Sequence, residues 1–503
     1  MASFNSSVGV ELEFLLCYPK ANLPMGVPLR YTTGSQFKLP GQVLDIMKAG
    51  IKSTIDNALG SLGRRGDRVL QFNREFSAPE AIHLLGYRDW TIRAATDYYF
   101  PSEAQNERFA RTYLWYPFKI ASPALWVTEN SWEEIHTVVQ AIKDELNVII
   151  PPGAAMHFHY GNGKEYIPFS KLRRIAALLV AVDPLMAQLH PEYRRHDDTA
   201  LSNRLYSRIA HGRSAAEISR AIGAENVEGE PETPVRRRRP IAYSVPFHRR
   251  RPDSRVDFTV PWKRGQLTGY LYSPEIFRSS GYPEDVYDDL GPLEIPVAAR
   301  EILRSVNAPT VAELMRYGPQ PNDRPAYSFL AYTLGRYKRL VRINGQIDTG
   351  FQNKRTIEFR QMASTLNPKE VVAHGKVIIR LCEFATEASL DELWNLILDC
   401  AVAESHNRWY DVFDLLGELG LFSEARILWH SVARFRGEKV PEEDIPADGG
   451  GLEGLLWSFG LYYIFSTNEE GVWWFDELPA WYKGLFCLGI IWAVVYSLMR
   501  YFS

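Results

Sequence analysis

Three short segments constrain this chain more than any other feature: GVELEF at residues 9–14, MHFHYG at 156–161 and TIEFR at 356–360. Each carries two charged or imidazole side chains two positions apart: Glu11 and Glu13, His157 and His159, Glu358 and Arg360. Side chains on a strand alternate between faces, so each pair projects from one side of its strand. Val10, Leu12 and Phe14 then fall on the opposite face of the first segment. A wall built from all three gathers three carboxylates, two imidazoles and a guanidinium. Such a wall is no hydrophobic core, because uncompensated charges are too costly to bury; they must meet metals, a charged ligand or one another. Taken singly, ExE reads most simply as a solvated strand face, HxH as packed or polar histidines, and EFR as an ion pair within one strand. Their combination, with apolar residues behind, reads as the lining of a cleft.

The rest of the pattern supplies the elements around those strands. Residues 8–16 and 355–362 read as strands, and 148–150 as a short apolar strand. Residues 131–146 form a helix with a Ser131–Glu134 capping box and an apolar stripe of Ile135, Val138, Val139, Ile142 and Leu146. Another helix covers 170–182 and stops near Pro184. Asn367, Pro368 and Glu370 open a further helix with a cap, a first-turn proline and a first-turn acid, and 391–436 read as more helices. Strands and helices alternate without a regular βαβ rhythm. The expected class is α+β, a largely antiparallel sheet flanked by helices.

Three segments interrupt this body, which spans 1–436. Residues 225–257 are rich in Pro, Glu and Arg and lack apolar periodicity, as in an exposed flexible insertion. Their clusters at 236–239 and 248–251 resemble a bipartite nuclear-import signal, although a solvated charged loop is the plainer reading. Residues 437–454 read as a linker. The tail, 455–503, ends in sixteen uncharged residues at 484–499, flanked by aromatic side chains and by Lys483 and Arg500. A bilayer span takes about 20 residues, so this run is a little short, yet aromatic and basic ends extend it. The tail reads as a hydrophobic helix, either packed on the body or anchoring the protein to a membrane.

The chain's 57 basic and 60 acidic residues leave a formal net charge of −3, which gives no global attraction to nucleic acid, and none is expected as a partner. Its four cysteines, Cys17, Cys382, Cys400 and Cys487, form no CxxC pair. That usage argues against a disulfide framework or a cysteine zinc site and fits a reducing, cytoplasmic compartment. No secretory signal is visible at the N-terminus.

The order of GVELEF, Ser122-Pro123 before a capped helix, HFH, a helix running into a proline, and TIEFR resembles the amidoligase family over residues 8–390. That family belongs to the carboxylate–amine ligase superfamily, with glutamine synthetase and glutamate–cysteine ligase. The resemblance implies a curved half-barrel of antiparallel strands holding ATP and Mg2+. A small-molecule or peptide carboxylate would be phosphorylated and then joined to an amine as an amide or isopeptide. Hard divalent ions prefer oxygen ligands, which Glu11, Glu13 and Glu358 supply, with His157 or His159 completing the shell or orienting phosphate. Arg360 would neutralise the γ-phosphate or the acyl-phosphate. Arg194, Arg195 and Asn203 fall where polar and carboxylate contacts are expected.

Two departures accompany the likeness. Lys119 stands where the family pattern carries a glutamate before the Ser-Pro pair, so its cation either repels one magnesium or replaces it electrostatically. Trp90 and Asp97 match an earlier motif, but Tyr98 takes a position expected to be small and polar. A degenerate ligase acting as a nucleotide-binding or membrane-associated scaffold is the alternative these departures raise. A zinc hydrolase built on His157 and His159 is a third reading, with no HExxH helix to support it.

Overall fold

A computed structural model describes residues 6–19, 41–63, 69–71, 89–94, 113–163, 165–195, 200–224, 266–267, 269, 292–317, 325–333, 342–343, 346–347, 355–405 and 409–438. All of them belong to one unit made of residues 1–250 and 260–440; a second unit, 251–259 and 441–503, lies outside them. The expectations for the 225–257 insertion, the 455–503 tail, and Asp97 and Tyr98 also fall outside the described residues, as does all but the start of the 437–454 linker. Among the described residues no helix is long and apolar enough to cross a membrane.

The class is α+β, with a nine-stranded, mostly antiparallel open sheet. Its strands are β1 (Ser7–Pro19), β2 (Val69–Gln71), β3 (Trp90–Ala94), β4 (Tyr113–Ala121), β5 (Leu125–Trp126), β6 (Val148–Ile149), β7 (Ala155–Gly161), β8 (Tyr327–Ser328) and β11 (Ile357–Ala363). A separate two-stranded sheet pairs β9 (Arg342–Ile343) with β10 (Gln346–Ile347). Across the large sheet the order is β2-β3-β4-β1-β7-β11-β8, with β5 and β6 pairing the two ends of β1. Only β2 and β3 among these pairs run parallel.

Strand β1 is central because its alternation serves both faces. Val8, Val10, Leu12 and Phe14 are buried on one side, where each such side chain contributes about 1.5–3 kcal/mol. A slip of one residue would exchange them for Glu11 and Glu13, so the apolar side fixes the register. Behind the sheet, helix Pro368–Glu387 packs on β1 and β7 and against helix Glu129–Glu145. Gly375 lets it lie close: a Cβ there would sit 2.6 Å from Trp132 Cζ3 and 3.0 Å from Phe158 Cε1. At the end of β4, the Ser122 N–H donates to the Val10 carbonyl (2.8 Å) and its hydroxyl accepts from Val10 N–H (3.0 Å), which pins the Ser-Pro pair to β1.

Two local expectations are corrected. Helix Glu129–Glu145 starts earlier than its apolar stripe suggests, because Thr128 is the N-cap and accepts from Ser131 N–H at 3.2 Å. Glu134 is therefore no capping-box partner; it is fully buried and takes the Trp90 indole N–H at 2.9 Å. The second helix runs Phe169–Met186 with Pro184 inside it. Pro184 sits in the last turn, and the preceding Asp183 is held by the Ser202 hydroxyl (2.7 Å) and the Arg204 N–H (2.9 Å), so tertiary bonds carry the helix past its breaker.

Asp183 is the buried acid of this core. Burial pushes its carboxyl up to about 7, although hydrogen bonds from the Arg204 N–H and the Ser202 hydroxyl favour the charged form. A carboxyl raised on folding stabilises the folded state while protonated. Its contribution is complete below the unfolded value and is lost as pH climbs to the folded one. Between about pH 4 and 7 the expected loss is about 1.4 kcal/mol per pH unit. Asp183→Asn keeps an acceptor for Ser202 and Arg204 and should remove this dependence. Urea midpoints for both proteins from pH 5 to 8 check it: the wild-type advantage should shrink with rising pH and level off above about 7.

Candidate active site

Backbone register decides which of the polar side chains meet. On β1, Glu11 lies between Ala121 of β4 and His157 of β7, and Glu13 lies opposite Lys119 of β4. His159 lies between Gly9 of β1 and Glu358 of β11, and Glu358 is followed outward by Ser328 of β8. Gly9 adds no side chain to that row, so Glu11 and Glu358 are the carboxylates that face His159. The pairing of β7 with β11 shifts between Phe359 and Met362, a bulge that sets Arg360 and Gln361 against the single residue His157. Glu11, Glu13, His157, His159, Glu358 and Arg360 thus share one wall, and Lys119 joins them from β4.

Charge compensation runs sideways across strands. The Lys119 ammonium is 2.9 Å from Glu13 Oε1 and 3.0 Å from Glu11 Oε2. Burial works against that ammonium, but the two carboxylates more than offset it and raise its pKa. Burial likewise opposes the Glu13 carboxylate, yet Lys119 and the Ala155 N–H at 2.8 Å hold its pKa below the usual range. His157 goes the other way: burial, then Arg360, then Lys119 push it down to about 4. His157 Nδ1 lies 3.5 Å from both Lys119 Nζ and Glu11 Oε2, and its tautomer decides which of the two it bonds.

His159 is tied at both nitrogens. Its Nε2 is 3.1 Å from Glu11 Oε1 and its Nδ1 is 3.2 Å from the Thr356 hydroxyl. In the tautomer where Nε2 donates to Glu11, Nδ1 accepts from Thr356. With Nε2 committed to a cation, Nδ1 would donate to the same hydroxyl, which serves either tautomer. Thr356 reaches this position because Gly161 lies beside it: a Cβ on Gly161 would come within 2.9 Å of Thr356 Cγ2. Arg360 donates from Nη1 to Glu358 Oε1 at 2.6 Å.

Among the described residues, Glu11, His159 and Glu358 are the group able to hold a metal ion, with one ligand atom from each lying within 4.8 Å of the others. Two carboxylates and an imidazole could hold a divalent cation; the carboxylates suit magnesium or manganese, and the imidazole suits zinc or iron equally well. Of the carboxylates read from the motifs, Glu13 is committed to Lys119 and Ala155. Of the two histidines, His159 and not His157 lies with Glu11 and Glu358.

The three residues expected as cofactor contacts serve the backbone. Arg194 is buried in helix Glu192–Arg195, and its Nη2 donates to the Arg360 carbonyl at 2.7 Å, bracing the bulge. Arg195 Nη1 reaches the Gly269 carbonyl at 3.4 Å. Asn203, fully buried, donates to the carbonyls of Met315 (2.8 Å) and Tyr327 (3.0 Å) and accepts the Tyr327 N–H (2.7 Å). Its amide holds β8 in place, with both N–H donors committed to backbone carbonyls.

Sequence reasoning missed Arg93 and Thr356. Arg93 lies on β3 opposite Lys119, and so on the same face. The alternation of Trp90, Thr91, Ile92 and Arg93 was the available signal, with Trp90 and Ile92 fully buried. Thr356 stood inside the TIEFR motif, one residue outside the strand proper.

Comparison with protein-family models, with curated proteins and with solved structures finds no match for the chain. The family reading therefore rests on the motifs and on this wall.

Because Asn203 holds three backbone groups, Asn203→Ala should leave two carbonyls and an N–H unpaired in the interior. The expected loss is about 3 kcal/mol or more, read as a lower urea midpoint. A loss below about 1 kcal/mol would show that water or a shifted backbone replaces the amide.

Proposed function

We propose that the chain is an ATP- and magnesium-dependent carboxylate–amine ligase that forms an amide or isopeptide bond through an acyl-phosphate. The observation that carries this reading is the Glu11–His159–Glu358 group, set among Lys119, His157 and Arg360 on one sheet face. In this reading the sheet is the curved half-barrel of glutamine-synthetase-like enzymes. Its mostly antiparallel order and its division into a polar and an apolar face support that assignment.

Each step sets a demand that residue types on the wall can meet. The substrate carboxylate takes the γ-phosphoryl group and ADP leaves. The amine nitrogen then attacks the acyl carbon, phosphate departs and the nitrogen gives up a proton. Glu11, His159 and Glu358 would hold the magnesium, which supplies charge neutralisation for the phosphoryl oxygens. Arg360, oriented by its bond to Glu358, would bring its guanidinium charge to an anion held at the metal. Glu13, through Lys119, fixes where that ammonium sits and so places a second positive charge beside Glu11. His157, neutral at pH 7, adds no positive charge to the wall.

The alternative, a degenerate ligase that binds nucleotide without turnover, is favoured by the placement of Lys119 between Glu11 and Glu13. One experiment separates the two. Purified protein is given ATP, Mg2+ and a panel of amino acids and peptides, and ADP and phosphate are followed. The ligase reading expects equimolar ADP and phosphate that depend on both a carboxylate and an amine. Glu358→Gln and Glu11→Gln should each lower that rate about a hundredfold or more, as loss of several kcal/mol of charge stabilisation requires. ATP binding with no release across the panel would establish the degenerate form, and stoichiometric zinc in the purified protein would favour a hydrolase instead.

A further inference from the structure

We infer that the Lys119 ammonium permanently fills the cation position between Glu11 and Glu13, so that the wall takes a single exogenous divalent ion, at Glu11, His159 and Glu358. The inference rests on the ligase reading and specifies its metal requirement.

The argument is one of occupied atoms. Lys119 Nζ lies 3.0 Å from Glu11 Oε2, 2.9 Å from Glu13 Oε1 and 3.5 Å from His157 Nδ1. Those are two carboxylates and an imidazole, the same donor types as in the Glu11–His159–Glu358 group one row along the sheet. Glu13 has both oxygens engaged, Oε1 by Lys119 and Oε2 by the Ala155 N–H at 2.8 Å. Glu11 divides its oxygens, with Oε2 toward Lys119 and Oε1 toward His159 Nε2 at 3.1 Å. A carboxylate shared between two neighbouring cations is the arrangement of a two-metal centre, whose ions stand about 3.5–4 Å apart. Here one of the two positive charges arrives on a side chain.

That side chain is difficult to displace. It is anchored on β4, where Lys119 pairs directly with Glu13 in the ladder, and its side chain is only 20% exposed. A second divalent ion between the carboxylates would have to expel an ammonium held by both, and like charges cannot share the space. The consequence for function is a fixed positive charge that needs no free metal, beside one that does.

The test counts ions on the intact chain with Mn2+ as the probe, following the free-ion signal by electron paramagnetic resonance. Wild type should bind one equivalent tightly. Lys119→Glu should bind two, and Lys119→Gln should gain a second equivalent at least tenfold weaker than the one Lys119→Glu gains. Circular dichroism verifies folding. If Lys119→Glu does not fold, Lys119→Gln carries the comparison, and if neither folds the wild-type count decides. Two equivalents in wild type, or one in every folded variant, would overturn the inference while leaving the ligase reading intact. No Mn2+ bound to wild type would remove the cation site and both readings with it, and loss of the single equivalent in Glu358→Gln assigns it to the triad.

Discussion

Glu11 is the interaction on which the wall depends. One carboxylate in the middle of β1 faces Lys119 from β4 and both histidines of β7, with Nζ at 3.0 Å, His159 Nε2 at 3.1 Å and His157 Nδ1 at 3.5 Å. Three carboxylates brought to one sheet face repel each other, and only opposite charges or donors from neighbouring strands make the assembly tolerable. Those donors arrive because the ladder is in register. The polar wall is thus as much a consequence of strand pairing as of the residues themselves.

What secures the register is the other face. Phe14, Phe158 and Phe359 are buried on β1, β7 and β11, under helices that also bury Ile135, Val138, Val371 and Ile378. The two faces have opposite chemistry and a common backbone, so stability gained behind the sheet is what holds charge in front of it. Trp90 and Glu134 show the join, where a helix on the apolar side sends a carboxylate to the indole of a strand residue at 2.9 Å. Arg194 and Asn203 extend the same support to β11 and β8 from short helices, through backbone carbonyls.

Much of this was legible in the sequence, and the divide has a physical cause. Spacing of two within a strand is a local property, so the co-facing of Glu11 with Glu13, His157 with His159 and Glu358 with Arg360 could be read directly. The α+β class followed from the same alternation. Which pair meets which is a property of register, and that is why His159 and not His157 joins Glu11 and Glu358 and why Glu13 turns to Lys119. A polar residue also carries no mark of whether its partner is a ligand or the backbone. Asn203 and Arg194 look alike from either side of that question until the carbonyls they hold are seen. Pro184 and Ser131 were misread for a related reason: helix ends here are set by Thr128 and by the bonds of Asp183, which outrank a local breaker or cap.

The bulge in β11 sets a limit of another kind. Two residues, Arg360 and Gln361, occupy the space opposite His157, which brings Glu358 level with His159 and Met362 level with Met156 on the same strand. Connections between strands can lengthen or shorten across generations at small entropic cost, since closing a longer loop adds only about 0.6 kcal/mol per doubling. The bulge constrains aim rather than length. Deleting one of those two residues would restore one-to-one pairing and keep both the acid level with the histidine and the methionine level with its partner. What the extra residue supplies is a local bend and a stronger twist beside Arg360, so its loss would leave the row of acid and imidazole in register and turn the guanidinium away from where it now points.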